Sequence, residues 1–460
     1  MNRNLAFKLI ALAVMAMMLI LALTRIEWKV RERQATRNAV VNSIASQYSE
    51  AQQIAGPLLW VRCSEARSTT RLDEKGQRYI EQEQVDCSRL VRPADLSGKG
   101  NLAVSERYRG IYKARIYLAS LRMQARFLKP ELNLKPGQTL QAAYWVFGVS
   151  DTRGLKRIEV RNDQNQRLVA YPGTAGSPLV SGFHVEIPLA SLELRQSLSA
   201  DIELAGSARL DWVPVASNND FSLHSAWPHP SFSGHYLPDT RDISAKGFSA
   251  RWRLNDFAVD GDKVLTKATY VPGQPMDSDP TLINSAAWFA HSLGVSLVDP
   301  VDAYVQSDRA VRYGFLFILL TLGGFFLFEL LKRQTIHPLQ YLLTGFAVVV
   351  FFLLLLALSE HTGFLIAYVA ASAACTLLIT AYGRTLLGSW KASAILSVGY
   401  AGLFGGLYQL LASEDHALLM GAWLTFGVLA ATMYLTRKLD WREIGRTPAP
   451  MIAQPQSLPQ

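Results

Sequence analysis

His224, His229, His235, Asp239 and Asp242 crowd one short stretch, and these residue types ligate divalent metals. Their spacings match no compact ligand pattern such as His-x-x-x-His on a helix. Pro228, Pro230 and Pro238 fix the chain there into an irregular loop. Trp227 and Phe232 read as its apolar anchors, and no metal is expected. Glu360-His361 and Glu414-Asp415-His416 could handle protons or bind ions. Both lie in short connectors between apolar runs, where solvated turn residues are the simpler reading; Glu360 and His361 stay as candidate polar residues at a membrane face. Glu329 lies near Lys332 and Arg333, so it can pair with them or reach the interface. Cys63 and Cys87 share one region and could form a disulfide outside the cytoplasm, contributing roughly 3 kcal/mol by restricting the unfolded chain. Cys375 falls in an apolar run and reads as a small packing residue.

No phosphate-binding Gly-rich loop, His-Glu-x-x-His, Gly-x-Ser-x-Gly or Cys-x-x-Cys occurs. The residues give no catalytic site and imply no cofactor.

The elements around these residues are set by hydropathy. Of 460 residues, 50% are hydrophobic and 18% charged, and the apolar ones concentrate at 5–24 and after 313. About 20 apolar residues in a helix span a hydrocarbon core roughly 30 Å thick. Leu5–Thr24 qualifies, interrupted by Lys8, as do runs near 313–331, 339–358, 364–382, 392–412 and 417–435. Six transmembrane helices are therefore expected. Gly402-Leu403-Phe404-Gly405-Gly406 carries a small-xxx-small spacing that predicts close helix approach.

Loop charge predicts orientation. Lys332 and Arg333, Arg384 and Lys391, and Arg437, Lys438, Arg442 and Arg446 fall on one side; the alternate loops hold no Lys or Arg. The basic side is cytoplasmic by the positive-inside rule, with both termini there and residues 27–308 outside. The flank Arg25, Lys29, Arg31, Arg33 and Arg37 of the first helix opposes this. Residues 1–24 are long for a signal peptide and lack an Ala-x-Ala site, so an uncleaved anchor is expected. The net charge of +9 sits beside apolar runs, which argues for topology and against nucleic acid as a partner.

The expected organisation is an anchor at 1–26, a helical stalk at 27–53, a β-rich domain at 54–308, a five-helix bundle at 309–440 and a disordered cytoplasmic tail at 441–460. Ile54-Ala55-Gly56-Pro57-Leu58-Leu59 breaks the stalk helix and starts extended structure. Period-two patterning predicts strands at 117–127, 139–149, 156–160, 183–188, 198–204, 208–213, 221–227 and 248–254, punctuated by Gly, Pro, Asn and Asp. Many short strands without helices between them predict a sandwich-like fold.

Long strings then resemble a known family. Trp227-Pro228-His229-Pro230-Ser231-Phe232-Ser233-Gly234, with Arg241 and Gly247-Phe248-Ser249-Ala250-Arg251-Trp252, are similar to those of the bacterial inner-membrane CreD family. So are His337-Pro338-Leu339-Gln340-Tyr341-Leu342-Leu343 and Leu355-Leu356-Ala357-Leu358-Ser359-Glu360-His361-Thr362-Gly363-Phe364. Ile54-Ala55-Gly56-Pro57-Leu58 and Leu435-Thr436-Arg437 fit as well, whereas residues 60–105, with Cys63 and Cys87, match least. The resemblance implies a cell-envelope integrity protein, linked to a two-component regulatory output, to colicin tolerance and in some bacteria to β-lactam responses. It brings no catalytic residues.

The resulting expectation is a non-enzymatic protein of the bacterial inner membrane that acts through a periplasmic β-rich domain. Its partners would be the lipid bilayer and an unidentified periplasmic or inner-membrane protein. Trp227, His229, Phe232, Arg241 and Trp252 are the candidate contact loop. A transporter or lipid-handling protein is the alternative, and a membrane enzyme using Glu360, His361 or His416 a further rival.

Overall fold

The computed structural model describes residues 3–72, 78–259, 291–298, 303–332, 336–387, 390–412 and 417–437. The predicted tail, the Glu414-Asp415-His416 connector, Arg333 and Lys438 lie outside them. The chain divides into a helical unit, residues 1–37 with 301–460, and a β-rich unit, residues 38–300.

The helices are α1 (Arg3–Tyr48), α2 (Ala303–Arg312), α3 (Gly314–Lys332), α4 (Pro338–Thr362), α5 (Phe364–Leu387), α6 (Trp390–Ala412) and α7 (Ala417–Thr436). Four of them are long and apolar enough to cross a membrane: α1, α4, α5 and α6. A fifth crossing is reached if α2 and α3, bent by 41° at Tyr313, count as one span. Helix α7 is apolar throughout its sequence. Helix α4 starts sharply because His337 caps it: its Nδ1 accepts from the Leu339 N–H, Gln340 Oε1 accepts from the His337 N–H, and Pro338 occupies the first turn. It ends at Gly363, whose φ of +82° suits glycine. Aromatic rings fill the interior between these helices, with Phe351 at 4.6 Å and Phe317 at 5.4 Å from Phe404, centroid to centroid. Around Gly402 and Gly405 an added Cβ would meet nothing within 4 Å, so these two glycines make no close helix contact among the described residues. The close approaches are elsewhere: an added Cβ on Gly345 would strike Leu19 of α1 at 2.2 Å, and one on Gly314 would strike Leu23 at 2.6 Å.

The β-rich unit holds two sheets. Their strands are β1 (Gln52–Leu72), β2 (Arg78–Val91), β3 (Asp95–Arg109), β4 (Tyr112–Phe127), β5 (Gln138–Val149), β6 (Leu155–Asn162), β7 (Arg167–Leu168) and β8 (Ala170–Pro172). They continue with β9 (Gly182–Ile187), β10 (Gln196–Ser207), β11 (Arg209–Val213), β12 (Asn218–Ser225), β13 (Pro230–Gly234), β14 (Thr240–Ser244), β15 (Gly247–Asn255) and β16 (Leu293–Leu297). One sheet runs β13-β16-β11-β1-β5-β9-β8, with β2 also on β1; the other runs β14-β15-β12-β3-β4-β10-β6-β7. Both are mixed, since β1 lies parallel to β11 and β12 parallel to β3. Alternate residues of the two sheets share one apolar core. Trp212 of the first sheet stacks on Phe221 of the second at 5.1 Å, and Phe232 sits edge-on to Phe248 and Trp252.

Extended structure was expected from Ile54, but the outer half of β1 and strands β2 and β3 were not. The outer half of the β1–β2 ribbon, Ser64–Leu72 against Arg78–Asp86, is polar on both faces and shows no alternation. In β3, Gly98 and Gly100 stand where side chains would signal a strand; an added Cβ would lie 2.6 Å from Phe221 and 3.0 Å from Trp212. The predicted stalk helix ends at Tyr48 and β1 starts at Gln52, before the Ile54–Leu59 segment. Gly56, with φ +99°, lies inside β1 at an irregularity between Ala55 and Leu58. Residues 303–308, assigned from sequence to the β-rich region, are helical and belong to the helical unit.

Candidate functional site

The best-built polar sites lie in the helical unit, and both are made by helix α1. Lys8, on its buried face, pairs with Glu329 near the end of α3. The other carboxylate oxygen of Glu329 accepts from the Tyr341 hydroxyl at 2.6 Å, and the Lys8 ammonium stands 6.0 Å from the Tyr341 ring centre. The Glu329 side chain is 11% exposed. Sequence reading lets this carboxylate reach the interface or pair with its chain neighbours Lys332 and Arg333; the structure pairs it across helices with Lys8. The His337-Pro338-Leu339-Gln340-Tyr341 string explains why: the His337 cap fixes where α4 starts, and that sets Tyr341 against Glu329.

The second cluster sits farther along α1. Arg33 approaches Glu360 at 3.6 Å, and Tyr304 donates to the same carboxylate oxygen at 3.1 Å. Arg31 lies 3.8 Å from Asp308, which also holds Arg312 at 2.5 Å. The Glu360 side chain is 9% exposed, so its reading as a solvated turn residue is corrected; His361 beside it is exposed. The opposing charge at the far flank of α1 thus has a physical account, because Arg31 and Arg33 meet buried carboxylates. Ser307 Oγ is buried in this region without a hydrogen-bond partner among the described residues. Between the clusters, Leu19, Leu23, Ile26 and Val30 bury the same face of α1. An ion pair out of water is costly to break from one side, so these contacts hold α1 in register with α2, α3 and α4.

In the β-rich unit, the predicted contact residues part company. Trp252 is fully buried and donates to the Tyr236 carbonyl, and Phe232 packs on it, so both support the surface from beneath. The segment is not an irregular loop, for it contributes β13 and β14. His229 and Arg241 are exposed. Trp227 is half-buried under the Arg115 guanidinium at 4.5 Å and donates from Nε1 to the His229 carbonyl. His235 packs on Tyr236 and His291, Asp239 pairs with Arg253, and His224 and Asp242 lie exposed on β12 and β14. No group of three or more His, Cys, Asp or Glu among the described residues is arranged to hold a metal ion. Cys63 and Cys87 face each other in the β1–β2 register, 4.8 Å apart at Cα, and are joined as a disulfide at the base of the outer ribbon. Cys375 is buried and free.

A groove of about 770 Å³ crosses the outer face of the second sheet. Asp95, Gln124, Arg126, Asn218 and Arg253 line it, and Arg126 pairs with Asp95. Farther along the face Arg251 pairs with Asp220 and Arg122 with Asp201. The Arg251 guanidinium holds the Asp220 carboxyl below its ordinary range. The face is hydrophilic and its charges neutralise one another. Beneath the first sheet Asp211 is buried, which raises its carboxyl value, against the pull of Arg209 at 2.6 Å.

Several long apolar helices joined to a large β-rich region define an integral membrane protein. The family model "Inner membrane protein CreD" matches residues 4–442. Inner membrane protein CreD of Escherichia coli (strain K12) is 32% identical over 441 residues, covering 95% of this chain and 93% of that protein. The chain belongs to the CreD family.

Proposed function

We propose that this chain is a non-enzymatic inner-membrane protein that supports cell-envelope integrity, and with it tolerance of envelope stress, antibiotics or colicin, through a β-rich unit exposed to the periplasm. In this reading the membrane is crossed six times, both termini are cytoplasmic and residues 27–308 lie outside. Family membership supports it. The observation that carries it is the tie between α1 and the helices that follow the β-rich unit, through Lys8–Glu329 and Arg33–Glu360. A β-rich insertion bracketed by mutually anchored helices is suited to bracing or binding, and the exposed residues His229 and Arg241, with Trp227, offer a contact surface for an unidentified periplasmic or inner-membrane protein. The rival transporter or lipid-handling reading calls for a polar path, and Phe317, Phe351 and Phe404 fill the region where these helices meet.

Complementation tests this. In a strain lacking its own copy, the full chain is expected to restore the envelope barrier, read as uptake of a normally excluded dye. A chain carrying His229→Ala and Arg241→Glu, present in the membrane at the normal level, is expected to restore it poorly. In-cell crosslinking from positions 229 and 236 is expected to capture one defined protein. Full rescue by a chain lacking residues 38–300 would overturn the reading.

A further inference from the structure

The basic flank of α1 divides into two classes by helical face. At about 100° per residue, Leu19, Leu23, Ile26 and Val30 share the buried face, and Arg33 falls near its edge. Phe7, Ile10, Val14, Met17, Met18 and Leu21 fall on the opposite face, within a sector of about 120°, and all are exposed. Arg25, Trp28 and Lys29 continue that sector. From Phe7 to Arg25 the helix rises about 27 Å, close to the thickness of a hydrocarbon core. Trp28 is 73% exposed, a placement suited to a membrane–water boundary. Lys29 makes an exposed pair with Glu32 on the next turn, whereas Arg25 has no hydrogen-bond or ion-pair partner among the described residues.

We propose that Arg25, Trp28 and Lys29 form a headgroup site for an anionic phospholipid at the C-terminal edge of the lipid-facing stripe of α1. The acyl chains lie along Leu21, Met18, Met17 and Val14, the phosphate meets the Arg25 guanidinium and the Lys29 ammonium, and the Trp28 indole sits at the glycerol level. Charge complementarity selects this occupant. Arg31 and Arg33 are matched by Asp308 and Glu360, so the cation left over on the outward face is matched by lipid. The site rests on α1 crossing the bilayer and holds for either leaflet.

The test uses the purified full-length chain in a zwitterionic detergent, titrated separately with dioleoyl phosphatidylglycerol, dioleoyl phosphatidylcholine and inorganic phosphate. Native mass spectrometry counts retained lipid, and the melting temperature reads stabilisation. Phosphatidylglycerol is expected to be retained and to raise the melting temperature, with the other two inert. Arg25→Gln with Lys29→Gln is expected to weaken phosphatidylglycerol binding about thirtyfold, from the loss of two cations near an anionic surface. Arg25→Lys with Lys29→Arg is expected to keep it, and Lys246→Gln, far along the chain on an exposed turn, to leave it unchanged. Equal retention of phosphatidylcholine, or wild-type affinity in the Gln variant, would overturn the proposal. So would a lipid-independent covalent dimer formed through Trp28→Cys, since a second copy would then occupy the face.

Discussion

Glu329 is a single carboxylate that serves three helices. It accepts from Lys8 and from Tyr341, so neither partner can be removed without leaving a charge or a hydroxyl unmatched in a largely buried site. Lys8→Met and Glu329→Leu are each expected to cost about 2 kcal/mol, less than a fully buried pair because the Lys8 side chain is 24% exposed. The double variant should cost clearly less than the sum, and melting curves of the four detergent-solubilised proteins complete the cycle. Strict additivity would mean that the pair contributes nothing. Sequence alone could not have joined these residues, since 321 positions separate them. It did flag both, Lys8 as the interruption of an apolar run and Glu329 as an acid near a helix end. An ionisable residue inside an apolar run is itself the signal that a partner exists elsewhere in the fold.

In the β-rich unit a polar network joins elements where α1 hands over to β1. Asp151 takes hydrogen bonds from the Ser49 hydroxyl and the Glu50 N–H, and binds the Arg153 guanidinium through both oxygens. Arg153 in turn donates to the Ser46 carbonyl, and Gln52 bridges the carbonyls of Asp151 and Ala205. The Arg153 guanidinium first, aided by the Glu50 and Arg153 N–H groups and the Ser49 hydroxyl, pulls the Asp151 carboxyl well below its usual range against the effect of burial. A depressed acid stabilises the fold fully above its unfolded value and loses that contribution as pH falls. Asp151→Asn is therefore expected to cost about 1–2 kcal/mol at neutral pH and to flatten the fall of melting temperature below about pH 4. Parallel acid titrations of wild type and variant read this, and identical slopes would remove Asp151 from the account. The eight strands read from alternation all exist, because their inward residues meet a common core. Of those that escaped notice, the outer β1–β2 ribbon and β3 lack that alternation, whereas β16 carries it at Leu293, Val295 and Leu297 over only five residues. Polar β1–β2 is held by backbone pairing and a cystine, and β3 is thinned by glycine to admit Trp212 and Phe221. At the contact segment, sequence marked the right stretch, but only the fold separates buried Trp252 from exposed Arg241.

For the whole molecule, the expectation is a β-rich unit outside the cytoplasm. An alkaline phosphatase fused near residue 200 should be active and a cytoplasm-active reporter at the same point silent; the reverse pattern would invert the topology. The Lys8–Glu329 pair carries a further consequence, in the time domain of synthesis. At about 5–20 residues per second, the ribosome makes Glu329, 321 positions on, roughly 16–64 s after Lys8, with the entire β-rich unit in between. Throughout that interval the Lys8 ammonium lacks its carboxylate partner. The Lys8 tie closes only when α3 emerges, so a nascent chain arrested before Glu329 lacks this link between its first helix and the later ones.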